Sequence, residues 1–292
     1  MVVNALWDVL FAGVFGLLVG SFLNVVIHRL PLMMERQWMQ ECAEHARTQG
    51  CQCTSNSPLS SAPLTLSTPR SRCPHCNHAI RWFENIPVLS YLALRGRCAH
   101  CHAAISLRYP LVEVATAALF GICIAHWDIS PAGIAWCGFG AALLCLAFID
   151  WDTTLLPDSI TLPLLWAGLV CSALRWIDVS LIDALWGAVA GYLSLWSVFW
   201  GFKLLTGKEG MGYGDFKLFA ALGAWFGWQG LLPIILMASV VGAVIGIVMK
   251  LAHRLREGGY IPFGPFLAGG GFVSMFLGPE TVLRQLYAAM GM

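Results

Sequence analysis

The sequence predicts an all-α, polytopic membrane protein of about eight transmembrane helices, with a small zinc-binding cytoplasmic domain between the first two. Three observations carry that prediction. Of the 292 residues, 58% are hydrophobic and only 11% are charged, whereas a soluble domain carries roughly a quarter charged residues. The charges cluster and leave long apolar runs bare, as a bilayer core demands. Two CxxC pairs, finally, fall inside the one long polar loop. This composition excludes a soluble enzyme with a single packed core. A formal charge of +1 argues against nucleic acid as a bulk electrostatic partner. Nor do eleven cysteines in such a chain describe a disulfide-stapled secreted protein.

The apolar runs lie near 6–28, 110–127, 132–149, 159–178, 182–205, 216–230, 231–250 and 263–282. The sixth is short for a hydrocarbon core of about 30 Å. Three GxxxG pairs, Gly16/Gly20, Gly187/Gly191 and Gly242/Gly246, predict close helix packing. The chain divides into a first transmembrane helix (1–29), a cytoplasmic loop domain (30–109) and a transmembrane core (110–292). Orientation follows from the excess of Lys and Arg on the cytoplasmic side. The loop 30–109 holds Arg36, Arg47, Arg70, Arg72, Arg81, Arg95, Arg97 and Arg108. The short connections with Lys203, Lys208 and Lys217, and with Lys250, Arg254 and Arg256, are basic too. These regions are therefore expected in the cytoplasm and the N-terminus outside, with Arg175 the one dissenter. The start lacks the basic region of a cleaved signal peptide, so the first span should stay as an anchor. The Ser-, Thr- and Pro-rich stretch 50–70 reads as irregular, and no internal repeat is evident.

Within the loop, Cys73-Pro-His-Cys76 and Cys98-Ala-His-Cys101 form two knuckles. Each brings two thiolates to one ion, and two knuckles complete a tetrahedral zinc site. Four thiolates leave no open position for water, so the site reads as structural. His75, His78, His100 and His102 are near enough that one could replace a cysteine as ligand. Cys123, Cys137, Cys145 and Cys171 lie inside spans and read as small hydrophobes. Cys42, Cys51 and Cys53 receive no role.

Carboxylates at the ends of spans need a reason. The third span runs into Asp150-Trp-Asp152 and on to Pro157-Asp158. The sixth opens on Gly210-Met-Gly212-Tyr-Gly214-Asp215. Two spans separate Asp150 from Asp215, so both belong at one membrane face and can meet. Two facing carboxyl groups that share a proton supply one base and one acid, enough to hydrolyse a peptide bond. From the residues alone Asp152 competes with Asp150. Asp158 reads as the N-cap of the fourth span. The glycines around 210–214 are not a phosphate-binding loop, because the GxxxxGK[ST] pattern is missing.

At this point the chain resembles the bacterial prepilin peptidases, or type IV leader peptidases, over nearly its whole length. The markers are Gly20-Ser-Phe-Leu-Asn24, the paired knuckles, Glu84-Asn-Ile-Pro and Arg108-Tyr-Pro-Leu-Val-Glu113. The Asp150 segment, Gly212-Tyr-Gly214-Asp215 and Ile261-Pro-Phe-Gly-Pro265 complete the set. The resemblance implies a GxGD-type aspartyl protease with Asp150 and Asp215 as the catalytic pair. It also implies S-adenosylmethionine-dependent methylation of the new N-terminus, with Asn24, Gly96 and Glu113 as cofactor-binding contributors. The implied partners are type IV prepilins or pseudopilins and the lipid bilayer. The implied location is the bacterial inner membrane, with a periplasmic N-terminus and a cytoplasmic-face site. Rival classes are a transporter, using the aspartates as a relay, and a non-catalytic scaffold of a secretion machine.

Overall fold

The computed structural model describes residues 2–48, 64–208, 210–252 and 261–289. Cys51, Cys53, Arg254, Arg256 and most of the Ser- and Pro-rich stretch lie outside the described residues. Contacts divide the chain into two compact units, 1–122 and 123–292.

In the first unit, α1 (Val2–Thr48) is unbroken and contains Pro31. Its 47 residues extend about 70 Å at 1.5 Å per residue, more than twice a bilayer core. The apolar run 6–28 is thus the first part of a longer helix, and the second half carries all of its charges but Asp8. There Gln37 donates to Glu41 at 2.8 Å, one turn on. Gly16 and Gly20 let α1 approach α3 (Arg108–Trp127): a Cβ on them would lie 2.8 Å from the Ala117 Cα and 2.7 Å from the Glu113 Cα. The packing role expected of this GxxxG pair is met by backbone-to-backbone contact. Between the two helices lie the knuckles, a 3-10 turn (Trp82–Asn85) and the short α2 (Leu89–Ala93).

The second unit holds α4 (Pro131–Thr153), α5 (Asp158–Ala173), α6 (Leu181–Thr206), α7 (Tyr213–Leu251), α8 (Gly264–Leu277) and α9 (Pro279–Ala289). Ser130 caps α4 through Gly133 N–H, and Ser180 caps α6 through Asp183 N–H, each at 3.1 Å. Both bonds satisfy amides that a helix start leaves unpaired. The core is aromatic. Trp136 packs on Phe139, Trp225 and Phe226 with ring centroids 5.1–5.6 Å apart, and Trp225 Nε1 donates to the Leu164 carbonyl at 2.9 Å.

Five helices among the described residues are long and apolar enough to cross a membrane, six if the bent pair α8–α9 counts as one. The eight apolar runs map onto them unevenly. Run 159–178 becomes the 16-residue α5, about 24 Å long. Runs 216–230 and 231–250 share the 39-residue α7, which breaks only at Gly227 (φ 71°, ψ 174°). That conformation is open to glycine and strained for other residues. Run 263–282 is bent by 106° between α8 and α9.

Helices α6 and α7 touch backbone to backbone, where Gly187 faces Gly223 and Gly191 faces Phe219. Nearest to Gly242 and Gly246 are instead the Phe266 ring and the Ile261 side chain. Gly223→Leu would force α6 and α7 apart. It should cost about 3 kcal/mol, as overpacking does, read as a fall in melting temperature in detergent. An unchanged melting curve would show that this contact does not hold the pair together.

Candidate active site and metal centre

In the second unit Asp150 lies in the last full turn of α4, and Thr154, in a left-handed conformation, closes that helix by donating to the Asp150 carbonyl at 2.8 Å. Asp215 lies in the first turn of α7, after Gly212. The two side chains are buried, at 4% and 7% exposure, and the carboxyl groups lie within electrostatic reach of each other. Leu156 fixes their neighbourhood. Its side chain packs on Gly214, where a Cβ would come within 2.7 Å of it, and on Gly264 at 3.3 Å. Gly264 N–H donates to Asp150 Oδ2 at 2.9 Å. Two helix N-termini, of α7 and α8, therefore converge on the carboxyl pair, and their unpaired amides and dipoles favour negative charge there.

Gly264 is the residue that sequence reasoning missed. A Cβ there would sit 2.6 Å from Asp150 Oδ2, so only glycine lets the α8 amide reach the carboxylate. The Pro-Phe-Gly-Pro run, one of the family markers, was the available signal. Tyr213 turns its ring to Phe199 and Phe216, at 5.2 and 5.4 Å. Asp152 is exposed. Asp158 differs from expectation: Pro157 is the cap residue, and Asp158, already inside α5, makes no capping bond. Its carboxylate instead takes Lys217 Nζ on both oxygens at 2.7 Å. A half-exposed pair of this kind contributes about 0–1 kcal/mol, but it ties the start of α5 to the second turn of α7. Beside Gly264, a cavity of about 300 Å³ is lined by Ser239, Gly242, Ala243, Ile261, Pro262, Phe263 and Phe266.

The knuckles of the first unit are built from a repeat that the linear reading overlooked. Ser71-Arg-Cys-Pro-His-Cys-Asn-His-Ala-Ile80 matches Gly96-Arg-Cys-Ala-His-Cys-His-Ala-Ala-Ile105. Each copy closes alike. Cys73 N–H donates to His78 and Cys98 N–H to Ala103, at 3.0 and 2.9 Å, while Ile80 and Ile105 N–H return to Ser71 and Gly96. Asn77 and His102 take positive φ at the matching corner.

The four sulfurs converge within 4.8 Å of one another. Cys73 lies 3.8 Å from Cys101, and Cys76 4.0 Å from Cys98. Zinc–sulfur bonds of about 2.3 Å in a tetrahedron put sulfurs about 3.8 Å apart, so the set fits such an ion. None of the four is in a disulfide. The amides of Cys76 and His75 draw the Cys73 thiol down to about 6, and those of Cys101 and His100 lower Cys98. At Cys76 the His78 amide is outweighed by burial and neighbouring sulfurs, and the thiol is pushed up to about 12. The histidines are not needed as ligands: His78 meets Glu84 at 3.2 Å and stacks on His100. Cys123, Cys137, Cys145 and Cys171 are buried and free, and Cys42 is exposed.

Asn24 and Glu113 come together on the facing sides of α1 and α3. Asn24 Nδ2 donates to the Tyr109 carbonyl at 3.0 Å, and Glu113 Oε2 accepts from Val88 N–H at 2.8 Å. Gly20 rests on Glu113, whose carboxylate also meets the Ser21 side chain. Gly96 lies beyond α2, at φ 67°, where a Cβ would clash with the Tyr91 hydroxyl. Val88 itself sits at φ 57°, a value a β-branched residue adopts only when its surroundings enforce it.

The architecture and these two centres define a class: a multi-pass helical membrane protein with a buried aspartate pair in one unit and a tetracysteine cluster in the other. The comparisons narrow it. Residues 14–127 match the bacterial peptidase A24 N-terminal domain and residues 137–247 the type IV leader peptidase family. The protein called prepilin leader peptidase/N-methyltransferase in Stutzerimonas stutzeri is 52% identical, over 98% of this chain and 96% of its own. Proteins of the same name in Burkholderia pseudomallei and Pseudomonas aeruginosa are 54% and 51% identical, each over 94% of this chain and over 86% and 92% of their own. No solved structure matches. The chain belongs to the type IV leader peptidase family.

Proposed function

We propose that this protein is a prepilin leader peptidase and N-methyltransferase of the bacterial inner membrane. The observation that carries the peptidase half is the pair Asp150–Asp215, buried together where two helices begin. In this reading one carboxylate takes a proton from water as the water attacks the scissile carbonyl, and the other protonates the leaving amine. The α8 amide on Asp150 Oδ2 keeps one oxygen occupied and orients the other. The adjoining apolar cavity suits a substrate segment that is itself a membrane helix. A prepilin, with a basic leader outside the bilayer and an apolar helix within it, delivers its scissile bond to that depth. The loop domain and the pair then face the cytoplasm, and the N-terminus faces the periplasm.

The methyltransferase half draws on Asn24, Gly96 and Glu113. S-adenosylmethionine supplies the methyl group, and an amine accepts it only when deprotonated. In this reading the buried Glu113 carboxylate takes that proton, while Asn24 and Gly96 hold α1 and the knuckle loop in position around it. Zinc in the four cysteines fastens the loop and takes no part in either reaction.

The test combines purified protein, a synthetic prepilin and S-adenosylmethionine, with mass spectrometry of the product. Cleavage and an added methyl mass are expected; intact precursor with well-folded protein would favour the transporter or scaffold. Glu113→Gln is expected to reduce methylation and spare cleavage, and equal loss of both would overturn that division of labour. Gly264→Ala pushes a methyl group against Asp150. It should slow cleavage by about 10², the scale of an ångström's misplacement, with methylation of an already cleaved peptide unchanged. Cleavage at the wild-type rate would remove the α8 amide from the account.

A further inference from the structure

The loop domain carries an apolar ridge that the described residues leave uncovered. Trp82 is 81% exposed, Leu89 and Leu92 are each 65% exposed, and Phe83 and Ile86 are also open. These residues run from the 3-10 turn through the short link at Ile86 to α2. A contiguous exposed patch of large apolar side chains needs a partner.

Its depth says which. Val88, between the turn and α2, donates its N–H to Glu113, the sixth residue of α3 and about 7.5 Å along that helix from Arg108. Since α3 has only 20 residues, about the number that a bilayer core requires, its first turns lie at the membrane boundary. Val88 and the ridge are pinned at the same level, and the positive φ of Val88 reports that the link is enforced.

Charge agrees with depth. Residues 64–108 contain six arginines, at 70, 72, 81, 95, 97 and 108, and a single acid, Glu84. Glu84 is already occupied by the Arg81 amide at 2.9 Å and by His78. Next to the ridge, a cavity of about 490 Å³ is lined by Ser67, Arg70, Ser71, Ile80, Arg81, Trp82, Phe83 and Asn85. Two guanidinium groups and two hydroxyls are the donors that recognise a phosphate. An exposed tryptophan beside them is the side chain that settles at the headgroup level.

We propose that the segment from the 3-10 turn through α2 is an interfacial anchor. Trp82, Phe83, Leu89 and Leu92 lie in the boundary of the bilayer, and the Arg70–Arg81 cavity seats the phosphate of an anionic lipid. The anchor is independent of the peptidase reading. A basic prepilin leader is repelled by this face, which favours lipid over substrate as its occupant.

The test uses the full chain in nanodiscs of phosphatidylcholine, with and without phosphatidylglycerol. Trp82 emission is isolated as the difference between wild type and Trp82→Phe. Bromine-labelled acyl chains should quench at least half of it, and aqueous iodide should leave it unchanged. Phosphatidylglycerol should slow amide exchange across residues 82–93 of the wild type about tenfold. Arg70→Ser with Arg81→Ser should remove that lipid dependence while the metal content stays as in wild type. Quenching by iodide and not by bromine would overturn the anchor, as would exchange indifferent to phosphatidylglycerol. Relief of bromine quenching by an added prepilin peptide would assign the face to substrate and overturn it equally.

Discussion

Asp150→Asn and Asp215→Asn are each expected to lower prepilin cleavage by about 10³ or more, within the range a positioned acid or base contributes. Neither should disturb methylation of a peptide that is already cleaved. Asparagine keeps the size of the side chain and its acceptor oxygen, so the bond from Gly264 survives in Asp150→Asn and the helix ends stay in place. What disappears is the capacity to hold and pass a proton. The double variant should be no worse than either single one, because the carboxyl groups act as a unit and such effects are not additive. Peptide mass spectrometry at single turnover reads both results. Retention of more than a tenth of the rate in either variant would mean that the pair does not carry the chemistry. Asp152→Asn is the internal control: its carboxylate is exposed, and the rate should stay within a few-fold of wild type.

That Asp150 and Asp215 would lie together was legible from two local rules, a carboxylate at the edge of an apolar run and parity of crossings, while the choice of Asp150 over Asp152 came from the family resemblance. The four cysteines were legible because ligand spacing within a knuckle is set by geometry that short sequence spans fix. Gly264 was not, because its role depends on a clearance of one methyl group against a residue 114 positions away. Asp158 misled for a related reason. Its position before an apolar run has the look of a cap, but Lys217, 59 residues on, competes for the carboxylate and wins.

The ends of the helices were the least legible. The first apolar run ends at 28, yet α1 continues past Pro31 to Thr48. A proline removes one backbone bond and crowds the preceding turn, but it does not break α1. Conversely, the boundary drawn between runs 216–230 and 231–250 fell three residues past the break at Gly227, while a continuous apolar composition hid the bend after Leu277. Hydropathy records solubility in lipid and carries no information on the direction of the backbone. The knuckle repeat was overlooked because each copy spans only ten residues of a loop whose remainder differs.

Removing the metal should separate the two centres. With Cys73→Ser or Cys98→Ser, or after stripping with a strong chelator, the fold of the knuckles loses its organising ion. The remaining backbone bonds, such as Cys73 to His78 and Cys98 to Ala103, bind segments of only six residues each. A structural zinc contributes about 10–16 kcal/mol in small domains, far above what those few bonds supply at about 1 kcal/mol each. Residues 64–107 should then become fully exchanging in amide hydrogen exchange. Methylation should be lost with them, since Val88 and Gly96 belong to that segment and Val88 holds Glu113. The second unit contains the whole Asp150–Leu156–Asp215–Gly264 cluster within residues 123–292, so slow exchange of α4 and α7 should persist in the stripped protein. Restoring zinc should recover protection and methylation together, with one metal per chain by elemental analysis. If exchange and methylation are unchanged in protein shown to be metal-free, the four sulfurs are packing groups and the ion has no part in holding the loop.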